Sequence, residues 1–269
     1  MYRILIIFCL TLSFIVPTSQ GQVLDDITER SILTERKVLP YPPLREADIF
    51  WEKRIWRVID VREKMNQPFV YPRAPLFDLI SQAAEAGEIT LYSPEDDQFN
   101  FPMDQQSLQS TLYQTDTIGI IDPLTQQMTT QVTNDRVFYE DIKRYRIKEV
   151  WFFDESTSSL RVRILGIAPM IEVRGEFGDV RYEKPLFWAY YPELRSVLAQ
   201  HEVVNNYNDS SAISWEDLFE MRFFSSYIFK ASNNMDLRIK DYTIGLDQLL
   251  EADKIRREIF DFEHDLWEY

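Results

Sequence analysis

Between Arg45 and Met65 the apolar residues recur at helical spacing: Trp51, Ile55, Val58 and Met65 form one stripe with Ile59 beside it. Ile49, Phe50 and Trp56 widen that sector beyond a single face. The spacing predicts a helix over 45–65, with Asp60 and Lys64 as an i, i+4 pair and Asn66-Gln67-Pro68 as its stop. So much apolar surface suits a central helix with its aromatics buried. The alternative leaves Trp51 or Trp56 outside as an interface anchor. A second helix is predicted from Pro75 to Ala86, ended by Gly87, before a short strand over Glu88–Ser93. Ser214 with Asp217 three residues on reads as a capping box, and the helix it opens leads into a strand over Ser226–Ser232.

The clearest strand pattern starts at Arg144. In RYRIKEVWFF, Tyr145, Ile147, Trp151 and Phe153 alternate with Arg144, Arg146 and Lys148, and LRVRIL sets Leu160, Val162 and Ile164 against Arg161 and Arg163. The two runs predict a hairpin. A one-residue slip would send every apolar side chain of one strand to the wet face, so the register is constrained and all five basic residues gather on one face. Like charges directly across strands are unfavourable, so an acidic surface must lie nearby, either this chain's own or a neighbour's.

Elsewhere the signals are sparser. Residues 93–136 are rich in Gln, Thr and Asp, and only Thr117–Ile121 looks strand-like. They read as an extended excursion or a partner-binding loop. APMIEVRGEF suggests a further short extended segment, with Gly175 and Gly178 forming a turn. A helix is expected from Pro192 and an amphipathic end over Leu246–Tyr269. The whole predicts an α+β fold, with helices packed on short, mainly antiparallel sheets. One compact domain over 45–269 is the expectation, and two lobes divided near 93–136 are the alternative.

The N-terminal residues carry one arginine and a thirteen-residue apolar run, Ile4–Val16, followed by small and polar residues. That is the pattern of a cleaved secretory signal over 1–21, too short to span a bilayer. Residues 22–44 then form an arm with three prolines between Pro40 and Pro43, lying across a neighbouring subunit or loosely ordered. The sole cysteine, Cys9, falls inside the apolar run, so no disulfide or thiolate chemistry survives processing.

Forty-four acidic residues against twenty-nine basic ones give a formal charge of −15, which repels a phosphate backbone and argues against a nucleic-acid partner. Only seven glycines occur, none in a phosphate-cradling pattern, and neither HExxH nor GxSxG is present. His201 and His264 each stand without a partner at metal-ligand spacing. Acidic neighbours such as Asp96/Asp97 and Glu216/Asp217 arise by chance in a chain this acidic, so they carry little weight as a hydrolase pair. Asn208-Asp209-Ser210 and Asp116-Thr117-Ile118 are short glycosylation-like matches. No catalytic, metal or cofactor residues are assigned, which favours a structural or interaction protein. The rival readings are a glycan-binding module stacking sugars on Trp188 or Trp215, and an exported carboxylate-dependent hydrolase.

READIFWEKRIWRVIDVREKMNQPF, YPRAPLFDLI, EITLYS, RYRIKEVWFFDES, LRVRILGIAP and FEHDLWEY, in that order, resemble the GldN/PorN family of Bacteroidota. The resemblance implies a non-enzymatic periplasmic component of the type IX secretion and gliding machinery, without a membrane span of its own. It implies self-association in a ring with an outer-membrane lipoprotein (GldK/PorK), and contact with the periplasmic region of an inner-membrane motor protein (GldM/PorM). It transfers no catalytic residues. The candidate interface residues rest on the patterns above: Trp51, Trp56, Arg144, Arg146, Lys148, Arg161, Arg163 and Trp267.

Overall fold

Arg45–Met65 is not a helix. In the computed structural model, which describes residues 33–121, 128–174, 179–205 and 211–267, Glu46–Asp48 make one 3-10 turn and Ile49–Asp60 run extended as strand β1. The physical reason lies in the spacing. Residues four apart share a face of a strand as well as of a helix, so Trp51, Ile55 and Ile59 satisfy both periods. The segment is rich in β-branched and aromatic residues, and both faces of its second half are covered. A strand buried on two sides shows no clean alternation. The predicted signal segment, the Gly175/Gly178 turn and the Asn208 motif lie outside the described residues.

A 3-10 helix, Lys64–Val70, follows β1, and then helix α1, Leu76–Glu85, with Gly87 at φ 77° just past its end. Asn66, read as part of a helix stop, is a buried clamp instead. Its Nδ2 donates to the carbonyls of Asp60 and Ser225 at 2.8 and 2.9 Å, and its Oδ1 accepts from Ser225 N–H at 2.8 Å. Strand β2 is Leu91–Tyr92. The polar excursion holds more regular structure than its composition suggests: helix α2, Gln105–Leu112, capped by Asp104, and the paired strands β3, Tyr113–Ile121, and β4, Met128–Arg136. Strand β5, Ile142–Asp154, and strand β6, Ser159–Arg174, form the predicted hairpin, and β6 runs on through APMIEVR as one element.

After β7, Val180–Pro185, and β8, Trp188–Tyr190, helix α3 spans Tyr191–Gln200 with Pro192 in its first turn. Short strands β9, Glu202–Val203, and β10, Ile213–Ser214, precede helix α4, Trp215–Glu220. Its capping box is the one read from Ser214 and Asp217. Strand β11, Tyr227–Ala231, helix α5, Ile239–Tyr242, and the long helix α6, Leu246–Trp267, complete the chain. The main sheet has the order β11-β1-β5-β6-β8-β2, with β7 also on β6, and its pairs are antiparallel. The fold is α+β.

Cross-strand partners define two sheet faces. Ile59 opposite Tyr145 and Arg57 opposite Ile147 belong to the helix-covered face. There Phe69 packs against Tyr145, Trp215 and Phe219 at ring separations of 5.2 to 5.8 Å, and Phe77 stacks on Phe187. Each large side chain buried in this core contributes on the order of 2 kcal/mol. Further along, α6 lays Ala252, Ile255 and Ile259 onto Ile55 and Ile228, and Phe262 stacks on Trp51 at 4.6 Å. The opposite face carries Trp56, Lys148 and Arg146 and is covered only in part.

The described part of the N-terminal arm packs on its own chain. Arg36 is bound to Asp217, Tyr41 Oη donates to Glu220 at 2.6 Å, and the Arg195 guanidinium lies 3.9 Å above the Tyr41 ring.

Candidate partner-binding face

The hairpin's basic face avoids like-charge opposition through its register. Arg144 stands opposite Asp60 and Met170, Arg146 opposite Val58 and Ala168, and Lys148 opposite Trp56 and Gly166. A bulge at Lys148/Glu149 shifts the count, so that Arg163 meets Val150 and Arg161 meets Phe152. No two of the five cations are direct cross-strand partners.

Most of these charges are answered from within. Arg144 donates to Asp60 at 3.1 Å and to Glu183 at 2.6 Å. Arg62, together with Arg144, holds the Asp60 carboxyl well below the usual carboxylate range. Lys148, almost fully buried, donates to the Asp97 carbonyl and carboxylate and lies over the Trp56 and Phe99 rings. Arg161 is 3.7 Å from buried Asp154. Arg163 donates to the Pro42 carbonyl at 2.9 Å and covers Tyr41 and Phe152.

Arg146 is the exception. Its guanidinium lies 4.8 Å over the Phe229 ring, and among the described residues no carboxylate comes within ion-pair distance of it. Burial, followed by the neighbouring Arg238, lowers its pKa.

Residues 93–102 build the rim of this face. Asp97 accepts from Trp56 Nε1 at 2.7 Å, and Phe99 meets Tyr92, Trp188 and Tyr190 edge-on. Phe99 lies so close to Gly166 that a Cβ there would sit 2.5 Å from its ring, so β6 needs glycine at this point. The result is a groove of about 810 Å³ on the open sheet face, shared by Arg146, Lys230 and Arg238 with Trp56, Tyr190 and Phe229. Lys230 is 2.7 Å from Asp236.

Of the residues singled out from the sequence, Trp56, Arg146 and Lys148 meet in this groove. Arg144 stands one row away, Arg163 reaches the arm at Pro42, and Arg161 lies beside Asp154. Trp51 is on the opposite face against α6, and the side chain of Trp267 lies outside the described residues. Lys230, Arg238 and the Asp97–Phe99 turn were missed, because each reaches the groove through pairing or looping that leaves no mark on local periodicity.

The remaining candidates are engaged structurally. Glu216 receives Arg195 Nη2 at 2.7 Å, Asp217 caps α4, and Asp96 accepts from Asn100. His201 Nδ1 bonds the Val197 carbonyl at the end of α3, and His264 is exposed on α6. Trp188 and Trp215 are buried, which counts against their use as sugar-stacking platforms. Among the described residues no three His, Cys, Asp or Glu side chains converge as a metal site, and no helix is long and apolar enough to cross a membrane.

A search of the curated proteins returned no match. The model of a family described as gliding motility associated protein GldN matches residues 44–268, which is most of the chain. The matched region takes in the hairpin, the groove and the helix-covered core, and the chain therefore belongs to the GldN family of gliding and type IX secretion components.

Proposed function

We propose that this protein is a non-enzymatic periplasmic building block of the type IX secretion and gliding machinery. After removal of its export signal it self-associates in a ring with the outer-membrane lipoprotein GldK/PorK and touches the periplasmic region of the motor protein GldM/PorM. Family membership supports the machinery. The observation that carries the contact role is Arg146: a partly buried guanidinium in an open, aromatic-walled groove, with no carboxylate at ion-pair distance among the described residues. An acidic side chain from a neighbour, entering between Arg146 and Arg238, supplies Arg146 with a direct ion-pair partner beyond the more distant carboxylates of Asp97 and Glu183. Sheet-face residues positioned by a two-strand register make a rigid platform for such a contact.

The test is affinity purification from periplasm, with identification of co-purifying proteins, for the wild type and for Arg146→Glu paired with Arg238→Glu. Recovery of both partners by the wild type and their loss from a folded double variant is the expected result, with wild-type recovery falling as salt rises. Full recovery by a variant with an unchanged circular dichroism spectrum would remove the groove from the interface. Recovery of neither partner by the wild type would remove the proposed assembly.

A further inference from the structure

On the other face of the sheet, where α6 crosses the ends of β1, β5 and β6, a cavity of about 500 Å³ is lined by four arginines. Arg57 comes from β1, Arg222 from the turn after α4, and Arg256 and Arg257 from α6. Beneath them, fully buried Glu149 lies 3.5 Å from Arg57 and 2.8 Å from Arg222. On α6, Asp253 is within 2.6 Å of both Arg256 and Arg257. The lining itself contains one carboxylate, Asp261. Four guanidiniums therefore meet three carboxylates, a local positive excess in a chain of formal charge −15.

The arginines are also crowded. Burial lowers the pKa of Arg57, and Arg222 and Arg256 push the same way against the opposing pull of Glu149. The rest of the wall is apolar, with the Trp151 ring 5.3 Å beneath the Arg222 guanidinium and Phe260 exposed at the mouth.

We propose that this cavity binds an acidic peptide segment of a partner protein, setting a carboxylate among the guanidiniums and a large apolar side chain against Trp151 and Phe260. Guanidiniums hold carboxylates through paired, charge-assisted hydrogen bonds, and Arg57 and Arg222 already stand at ion-pair distance from Glu149. A free inorganic anion would leave the apolar wall unused and most of the volume empty. A peptide uses both, and the cavity has the size of an ordinary ligand site. The site does not depend on the groove at Arg146, which lies on the opposite face, so either can fail without the other.

Calorimetric titration of the full chain with an acetylated Glu-Leu-Glu-Trp amide tests it, with Gln-Leu-Gln-Trp as the neutral control and inorganic phosphate as competitor. Saturable binding of the acidic peptide, with none of the neutral one, is expected. The exposed pair Arg256→Gln and Arg257→Gln should weaken binding about tenfold for each charged hydrogen bond lost. Phe260→Ser removes only exposed apolar wall and should also weaken the peptide, which keeps the test decisive if the arginine variants do not fold. No heat with the acidic peptide, equal binding of the neutral one, or undiminished binding by either variant would overturn the proposal. Complete displacement by an equal concentration of phosphate would reassign the site to a free anion.

Discussion

Asp60 and Arg144 are direct cross-strand partners on β1 and β5, with Arg144 Nε 3.1 Å from Asp60 Oδ2. The same carboxylate takes Arg62 from the turn beyond, at 2.8 Å from its Nε, and Arg144 reaches on to Glu183 of β7. One acidic residue at the end of a central strand thus ties three chain segments together, and the basic face of the hairpin is built on that tie.

The Asp60 carboxyl has its pKa lowered in the fold, so its contribution to stability is complete above the unfolded value, about 4, and is lost as pH falls through the folded value. Asp60→Asn should cost about 2 kcal/mol at neutral pH and flatten the acid limb of denaturant unfolding measured from pH 6 down to 2. An acid limb parallel to the wild type's would assign that pH dependence to other carboxylates.

Gly166→Ala should force Phe99 off β6, because no backbone shift of a few tenths of an ångström accommodates a 2.5 Å contact with a ring held by three aromatic neighbours. The expected loss is about 1–3 kcal/mol, with faster proteolysis within residues 93–102. Phe99→Ala in the same chain should restore much of the stability. Failure of that rescue would mean that the clash lies elsewhere.

Tyr41 anchors the part of the arm that follows the Arg36–Asp217 pair. Tyr41→Ala removes the hydrogen bond to Glu220 and the ring beneath Arg163 and Arg195. Limited proteolysis should then cut between residues 33 and 44 well before the body, while overall stability falls by about 1–2 kcal/mol. Equal cleavage rates for variant and wild type would show that Tyr41 does not hold the arm.

Glu149→Gln leaves Arg57 and Arg222 without their shared counter-charge at a fully buried position. Destabilisation of about 3–5 kcal/mol is expected in denaturant unfolding. Arg57→Gln paired with Glu149→Gln should be milder than the sum of the single changes, and strict additivity would show that the two groups are not coupled.

Elements whose cause is local are legible along the chain. Ser214 and Asp217 are three residues apart, Gly87 sits just past a helical run, and the β5–β6 pattern repeats every two residues, so each can be read without knowing what packs against it. The GldN resemblance rests on the order of such stretches, and the family match bears it out. That 49–60 is a strand follows from its neighbours, because a four-residue spacing of Trp51, Ile55 and Ile59 fits either period and the choice is made by β5 and β11 pairing on both sides. The same packing sets which basic residues find a carboxylate within the chain. Asp97 is 51 positions from Lys148, and Asp60 is 84 from Arg144. Charge pairing over such separations depends on the register of strands brought together by burial, and no periodicity along the chain encodes it.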